Sequence, residues 1–319
     1  MSGKVEVEVK KSNFTPRDRV EEGRFNIILD FKAVVSNDSY VFVGGMTKEL
    51  ESRMLQIQAK IDEMARKLVT LDDETIKRNF YDLIQTSKPY MTTQFLKYDQ
   101  TYAIPGSSLK GAIRSRIEYK FKLYKIREGQ YGSYSCYIVQ EPFTRSNPNH
   151  VKFWGEHVTY SRGSCSPPQI CAVCDLFGCP SLSSRVFFSD AIMTNGKVEF
   201  VKEVRREGAA PNSEFKVNVS LLNADFVDLG LLFSGMEIFT STPILIGALK
   251  YRFNKKVGEN RLRNLYLAGL LKFELKSFKP ITGDFPSNVS SCYDMINVAR
   301  EKLLEKYDKY IDLERGVIS

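Results

Sequence analysis

Apolar and polar positions alternate from Phe25 to Val35, so that Leu29, Phe31, Ala33 and Val35 share one face. That period of two predicts a half-buried strand. Val5, Val7 and Val9 alternate in the same way with charged neighbours and predict an edge strand or arm. The run 40–43 extends or pairs with the first strand, and Gly44-Gly45 ends it. The period then changes. Leu50, Met54, Ile57, Ile61, Met64 and Leu68 are spaced by fours and threes, which predicts a helix from about residue 47, capped by Thr47 and running with one interruption at Asp72-Asp73 to residue 85. We read its stripe as packed on its own domain.

Pro105 breaks the chain, and a helix follows, with Leu109, Ile113, Ile117 and Tyr124 as its buried side. Residues 130–169 are rich in Gly, Ser, Pro, Asn and Tyr and read as loops. Strand-like runs follow at 185–192, 198–204, 215–222, 237–245 and 267–278, with a short helix near 225–233 and a last one at about 295–313. This order is α+β rather than a doubly wound alternation. A ferredoxin-like (RRM-like) core fits the element count. The expected organisation is one domain over 1–319, with a helical insertion at 46–90, a loop insertion at 130–182 and a C-terminal helix at 293–315.

Charge narrows the partner. The 319 residues carry a net charge of +8, and the sequence pI is about 9.0, which favours polyanions. The surplus is clustered: between Lys97 and Arg127 there are eight basic and two acidic residues, with Tyr98, Tyr102, Tyr119, Phe121 and Tyr124 interleaved. Cations for phosphates and aromatic faces for bases suit single-stranded nucleic acid. No apolar run approaches the roughly 18 residues that span a bilayer, and the first ten residues lack the apolar core of a signal peptide. The expectation is a cytoplasmic protein without a membrane partner.

The densest local pattern is 104–116, Ile-Pro-Gly-Ser-Ser-Leu-Lys-Gly-Ala-Ile-Arg-Ser-Arg. Pro105 and Gly106 set a turn, Ser107 or Ser108 is positioned to cap the helix, and the first helical N–H groups make an anion site. Lys110 and Arg114 are four apart and share a helix face, with Lys125 expected near the same azimuth. Lys97 and Arg116 add to the basic cluster. The Gly-Lys-Ser/Thr ending of a nucleotide-binding loop is missing. The two histidines, His150 and His157, both fall in the loop-rich stretch and suggest no nucleophilic triad.

Four of six cysteines, Cys165, Cys171, Cys174 and Cys179, lie within fifteen positions. In a reducing compartment this reads as a structural zinc site. His157 is an alternative ligand, and a disulfide or an iron–sulfur cluster is a weaker reading. Cys136 and Cys292 stand apart and read as packing residues.

The stretch 104–116 resembles the signature loop and helix of the RAMP superfamily, whose members coat the guide RNA of type III CRISPR effectors. Cys171-Ala-Val-Cys174-Asp-Leu-Phe-Gly178 and Ser184-Arg185-Val-Phe-Phe-Ser-Asp190-Ala191 are similar to the zinc-bearing stretch of its backbone-type subunits. The resemblance implies RNA contact by Gly106, Ser107, Ser108, Lys110, Gly111 and Arg114. It implies as partners the guide RNA, target RNA, other RAMP-type subunits and the large subunit of the complex. It makes the expected function a guide-RNA-binding structural subunit of an antiviral ribonucleoprotein.

Two departures bear on catalysis. Where the family often carries a target-cleaving aspartate, this chain aligns Thr93; Asp99 and Asp38 are the nearest candidates. The segment 190–204 also leaves room for only a short turn where a long thumb is common. The alternatives are therefore a metal-dependent endoribonuclease subunit that cleaves target RNA through Asp99 or Asp38, and a stand-alone zinc-stabilised RNA-binding protein.

Overall fold

A computed structural model describes residues 6–37, 39–48, short stretches between 58 and 81, 91–136, 165–201, 204–250 and 267–317. The first long strand, β1 (Phe25–Val35), buries Phe25, Ile27, Leu29, Phe31, Ala33 and Val35 and leaves the residues between them half-exposed. Then come β2 (Lys97–Tyr98), β3 (Thr101–Ile104), α1 (Gly106–Lys120), β4 (Tyr124–Arg127), β5 (Gln130–Ser133) and α2 (Ala172–Phe177). They are followed by β6 (Val186–Phe188), β7 (Ala191–Asn195), β8 (Glu214–Ala224), α3 (Phe226–Gly235), β9 (Ile244–Leu245), β10 (Leu270–Gly283) and α4 (Cys292–Tyr307).

One sheet organises the chain. Its order is β9-β10-β1-β8-β7-β3-β2, with β6 also paired to β8, and every pairing is antiparallel. Register follows hydrophobicity: Phe31 lies opposite Val217 on one side and Leu275 on the other. A one-residue slip of β1 would turn Phe31 and the rest of its buried row to the open face, away from Val217 and Leu275, so the buried row fixes the pairing.

The helices cover the core face. Leu109, Ile113 and Ile117 of α1 are fully buried, and α3 is apolar nearly all round because it lies between α1 and α4. Close approach requires glycine at both contacts. A Cβ on Gly235 would strike Ile113 and Ile117, and one on Gly230 would strike Ala299 and Leu303. Capping boxes start α3 (Asp225 with Asp228) and α4 (Ser291 with Asp294), each worth about 1 kcal/mol.

A smaller sheet joins Val198–Val201, Arg206–Ala209, Met91–Thr93 and Met46–Lys48 over a separate cluster that includes Tyr40, Phe42 and Val201.

Several local expectations are corrected. Thr47 lies in a strand paired with Thr92 rather than capping a helix. Residues 58–59, 61–63 and 65–66 are helical, and Ile61 of the expected buried stripe is 42% exposed. Of the run 237–245 only β9 is extended. Tyr124 belongs to β4 and not to the preceding helix, which ends at Lys120. Part of the expected loop at 130–169 is β5. Among the described residues no helix is long and apolar enough to cross a membrane.

Candidate metal centre and nucleic-acid interface

The start of α1 is built by backbone contact rather than by a serine cap. Pro105 is the N-cap and offers no side-chain hydrogen bond, so neither Ser107 nor Ser108 caps the helix. Ser108 N–H and Leu109 N–H both donate to the Pro105 carbonyl, at 2.9 and 3.2 Å. Asp190, between β6 and β7, accepts from Gly106 N–H at 2.7 Å and from the Tyr98 hydroxyl at 2.7 Å. The Ser107 amide has no acceptor among the described residues, and its side chain is exposed. Helix dipole and open amide together favour an anion there. Gly106 is required sterically, because a Cβ would run into the carbonyl oxygens of Phe188 and Ser189. Gly111, one turn on, meets nothing within 4 Å and leaves the helix surface open.

The basic residues divide. Lys110 is half-buried with its Nζ 5.9 Å over the ring of Phe187, which is itself 46% exposed. Burial, then the charge of Arg114, lowers the Lys110 pKa. Lys97 is exposed, with its Nζ 5.4 Å over the Tyr102 ring. Lys125 is exposed on β4, off the helix on which it was expected to align. Arg116 corrects its expected role in RNA contact. Two residues past Arg114, it points to the opposite side of α1, where Nε donates to Glu237 Oε1 at 2.7 Å and the side chain is 3% exposed. Lys120 reaches the same carboxylate at 2.8 Å. These cations hold α1 to the interior and to the C-terminal segment through the Gly316 and Leu313 carbonyls.

Arg114 is tied to protein as well. Nε donates to Glu118 Oε1 at 2.8 Å, Nη1 to the Gly178 carbonyl at 2.8 Å, and Nη2 to Cys174 Sγ at 3.4 Å.

That sulfur belongs to a cluster. The sulfurs of Cys136, Cys165, Cys171 and Cys174 all lie within 4.8 Å of one another, and Cys136 Sγ is 3.4 Å from Cys174 Sγ. A zinc–sulfur bond of about 2.3 Å gives a tetrahedron edge near 3.8 Å, so four thiolates here fit one metal ion. Amides support the sulfurs: Cys171 N–H donates to Cys165 Sγ at 3.2 Å, and Cys174 N–H to Cys171 Sγ at 3.5 Å.

Three of the four cysteines expected as ligands are therefore gathered. The fourth sulfur comes from Cys136, which stands apart from the others in the sequence, while half-buried Cys179 lies outside the set. The hairpin of β4 and β5 delivers Cys136. Its Tyr124, with Tyr134 just beyond β5, packs against Tyr310 of the C-terminal segment, both at 4.8 Å between ring centroids, and Tyr134 also meets Tyr307 of α4 at 5.1 Å. His157 and Asp38 lie outside the described residues.

Asp99 is exposed in the turn between β2 and β3 with a φ of 50°, and Thr93 is buried. An ionic network ties α2 to the core. Arg185, fully buried, donates to Asp175 Oδ2 at 2.6 Å and to both Asp228 oxygens at 2.7 and 2.9 Å. Arg17 pairs with Asp175 at 2.9 Å, and Arg24 with Asp228 at 3.1 Å. In the stretch 184–191, Arg185 thus anchors the cysteine helix while Asp190 fastens the glycine loop. Spacing alone gave neither role.

A family model described as the RAMP superfamily matches residues 39–276, a span that contains the glycine loop, the four clustered cysteines, the central-sheet strands from β2 to β9 and the first half of β10. No curated protein matches the chain.

Proposed function

The chain belongs to the RAMP superfamily, and from that premise we propose that it is a guide-RNA-binding structural subunit of a type III CRISPR ribonucleoprotein. The observation that carries the proposal is the start of α1. There an exposed Ser107 with an open amide and an unobstructed Gly111 lie on the surface beside Lys110, seated on a buried, sterically obligatory Gly106. Phosphates of a single strand would take the Ser107 amide, the Ser108 hydroxyl and the Lys110 ammonium, while Lys97 and Lys125 extend the positive surface. Tyr98 and Phe187, both about half exposed, offer faces for bases.

The order β10-β1-β8-β7, with α1 after the first of these strands in sequence and α3 after the third, supports a ferredoxin-like core in a single domain over 1–319. In this reading 46–90 and 130–182 are insertions and 293–315 closes the fold. Zinc is the metal the four sulfurs suit best. With all four positions taken by protein it would brace the loop insertion structurally and leave no site for substrate. Other RAMP-type subunits, the large subunit and target RNA are the proposed partners, in the cytoplasm. Cleavage through Asp99 forms no part of the proposal, because a left-handed turn position itself selects Asp.

The test is binding of a labelled single-stranded RNA across a salt series. We expect affinity to fall steeply with salt and Lys110→Ala to reduce the log–log slope by about one. Absence of binding at low salt would reject the proposal.

A further inference from the structure

Arg114 stands where the two motifs meet. Lys110, Arg114 and Glu118 follow one another at intervals of four and share a face of α1. The three acceptors of Arg114 lie on two helices, its own and α2 with its C-cap. Glu118 is on its own helix, Gly178 closes α2, and Cys174 is one of the four clustered sulfurs. A planar guanidinium fork can meet three acceptors at fixed angles, and an ammonium cannot. The fork has five N–H donors. Three are engaged, and the side chain is 29% exposed.

Four thiolates around a divalent ion leave about two excess negative charges. A guanidinium on one of the sulfurs offsets part of that charge and orients the ligand, as partners beyond the ligand shell do in metal sites. The same contact adds a tether to α1 four residues past Lys110, about one helical turn.

We propose that Arg114 is a positioning residue that couples the metal centre to the RNA-binding end of α1, an inference that rests on the RNA-binding reading above. A loaded cluster holds the guanidinium. The held guanidinium fixes the rotation of α1 so that the Ser107 amide and Lys110 meet phosphate together. Because such coupling is reciprocal, bound RNA strengthens metal retention by the same factor. This replaces the direct phosphate contact that the loop resemblance implied for Arg114.

The test uses the full chain loaded with Co2+, titrated with a chelator in the presence and absence of a saturating single-stranded RNA oligonucleotide of mixed sequence. Thiolate-to-cobalt absorption reports the metal. In the wild type, RNA should raise apparent Co2+ affinity by at least about fivefold. Arg114→Lys keeps the charge but loses the fork. It should weaken Co2+ binding by about tenfold or more and abolish the gain from RNA. Co2+ affinity equal to the wild type in Arg114→Lys, or an undiminished RNA gain, overturns the inference. Glu118→Gln, which loosens only the Nε anchor, provides a second variant if Arg114→Lys does not fold. It should shrink the gain, and an unchanged gain counts against the coupling. A chain that binds no RNA in any variant defeats the functional reading itself. Failure of this inference alone shows normal RNA binding that is indifferent to metal.

Discussion

Asp190 holds Gly106 and Tyr98 with one carboxylate, taking the Gly106 N–H on Oδ1 and the Tyr98 hydroxyl on Oδ2, each at 2.7 Å. The side chain from the β6–β7 connection thereby fastens the first turn of α1 to the end of β2. It also consumes one of the helix's open amides, so the anion site is pushed one residue along, to Ser107.

Asp190→Ala should release both contacts, loosen the glycine loop and weaken RNA binding by about tenfold, with the fold retained. Tyr98→Phe should cost less, since Gly106 stays held. Fluorescence anisotropy at fixed salt measures both. Equal affinity in Asp190→Ala and wild type would show that the loop is set by other contacts.

The two glycines of the loop helix should behave in opposite ways. Gly106→Ala forces a methyl group against the Phe188 and Ser189 carbonyl oxygens, so it should lower stability and abolish RNA binding. Gly111→Ala meets open space and should raise stability by about 0.5–1 kcal/mol through helix propensity. Thermal melts of the two variants provide the comparison.

The metal ligands are tested by replacing one sulfur at a time. Cys136→Ser should remove a thiolate-to-cobalt band and loosen the metal strongly, whereas Cys179→Ser should leave the spectrum of the wild type. The reverse pattern would restore the set expected from spacing.

Asp228 is the buried counter-charge of Arg185 and Arg24. Burial alone would raise its pKa, but Arg185, with help from Arg24, holds it below the ordinary value of 3.8. Its folded pKa is depressed, so its contribution is full above that ordinary value and is lost as pH falls through the folded one. Asp228→Ala leaves Arg185 with Asp175 as its one carboxylate partner among the described residues and should cost about 3–5 kcal/mol in denaturant unfolding at neutral pH. The penalty should shrink towards acid pH.

Local chemistry made part of this legible. The period of β1, the row Leu109, Ile113 and Ile117, and the glycine loop could each be read from a few neighbouring residues, and each lies where expected. Cys171 and Cys174 announced themselves by spacing. What failed was decided at long range. Arg114 and Arg116 look alike in a basic helix. Only the fold sends one to the sulfur cluster and the other to Glu237, which is 121 positions away. Cys136 is isolated in sequence and reaches the cluster because an aromatic hairpin packs on the C-terminal segment. Thr47 has the chemistry of a helix cap, but pairing with Thr92 makes it a strand residue.

The most direct measurement is to purify the tagged full chain from its native cells and to sequence the RNA and identify the proteins that come with it. The account predicts RNA derived from CRISPR repeats, together with other RAMP-type subunits. Mixed cellular RNA without such partners, or no RNA at all, would contradict it.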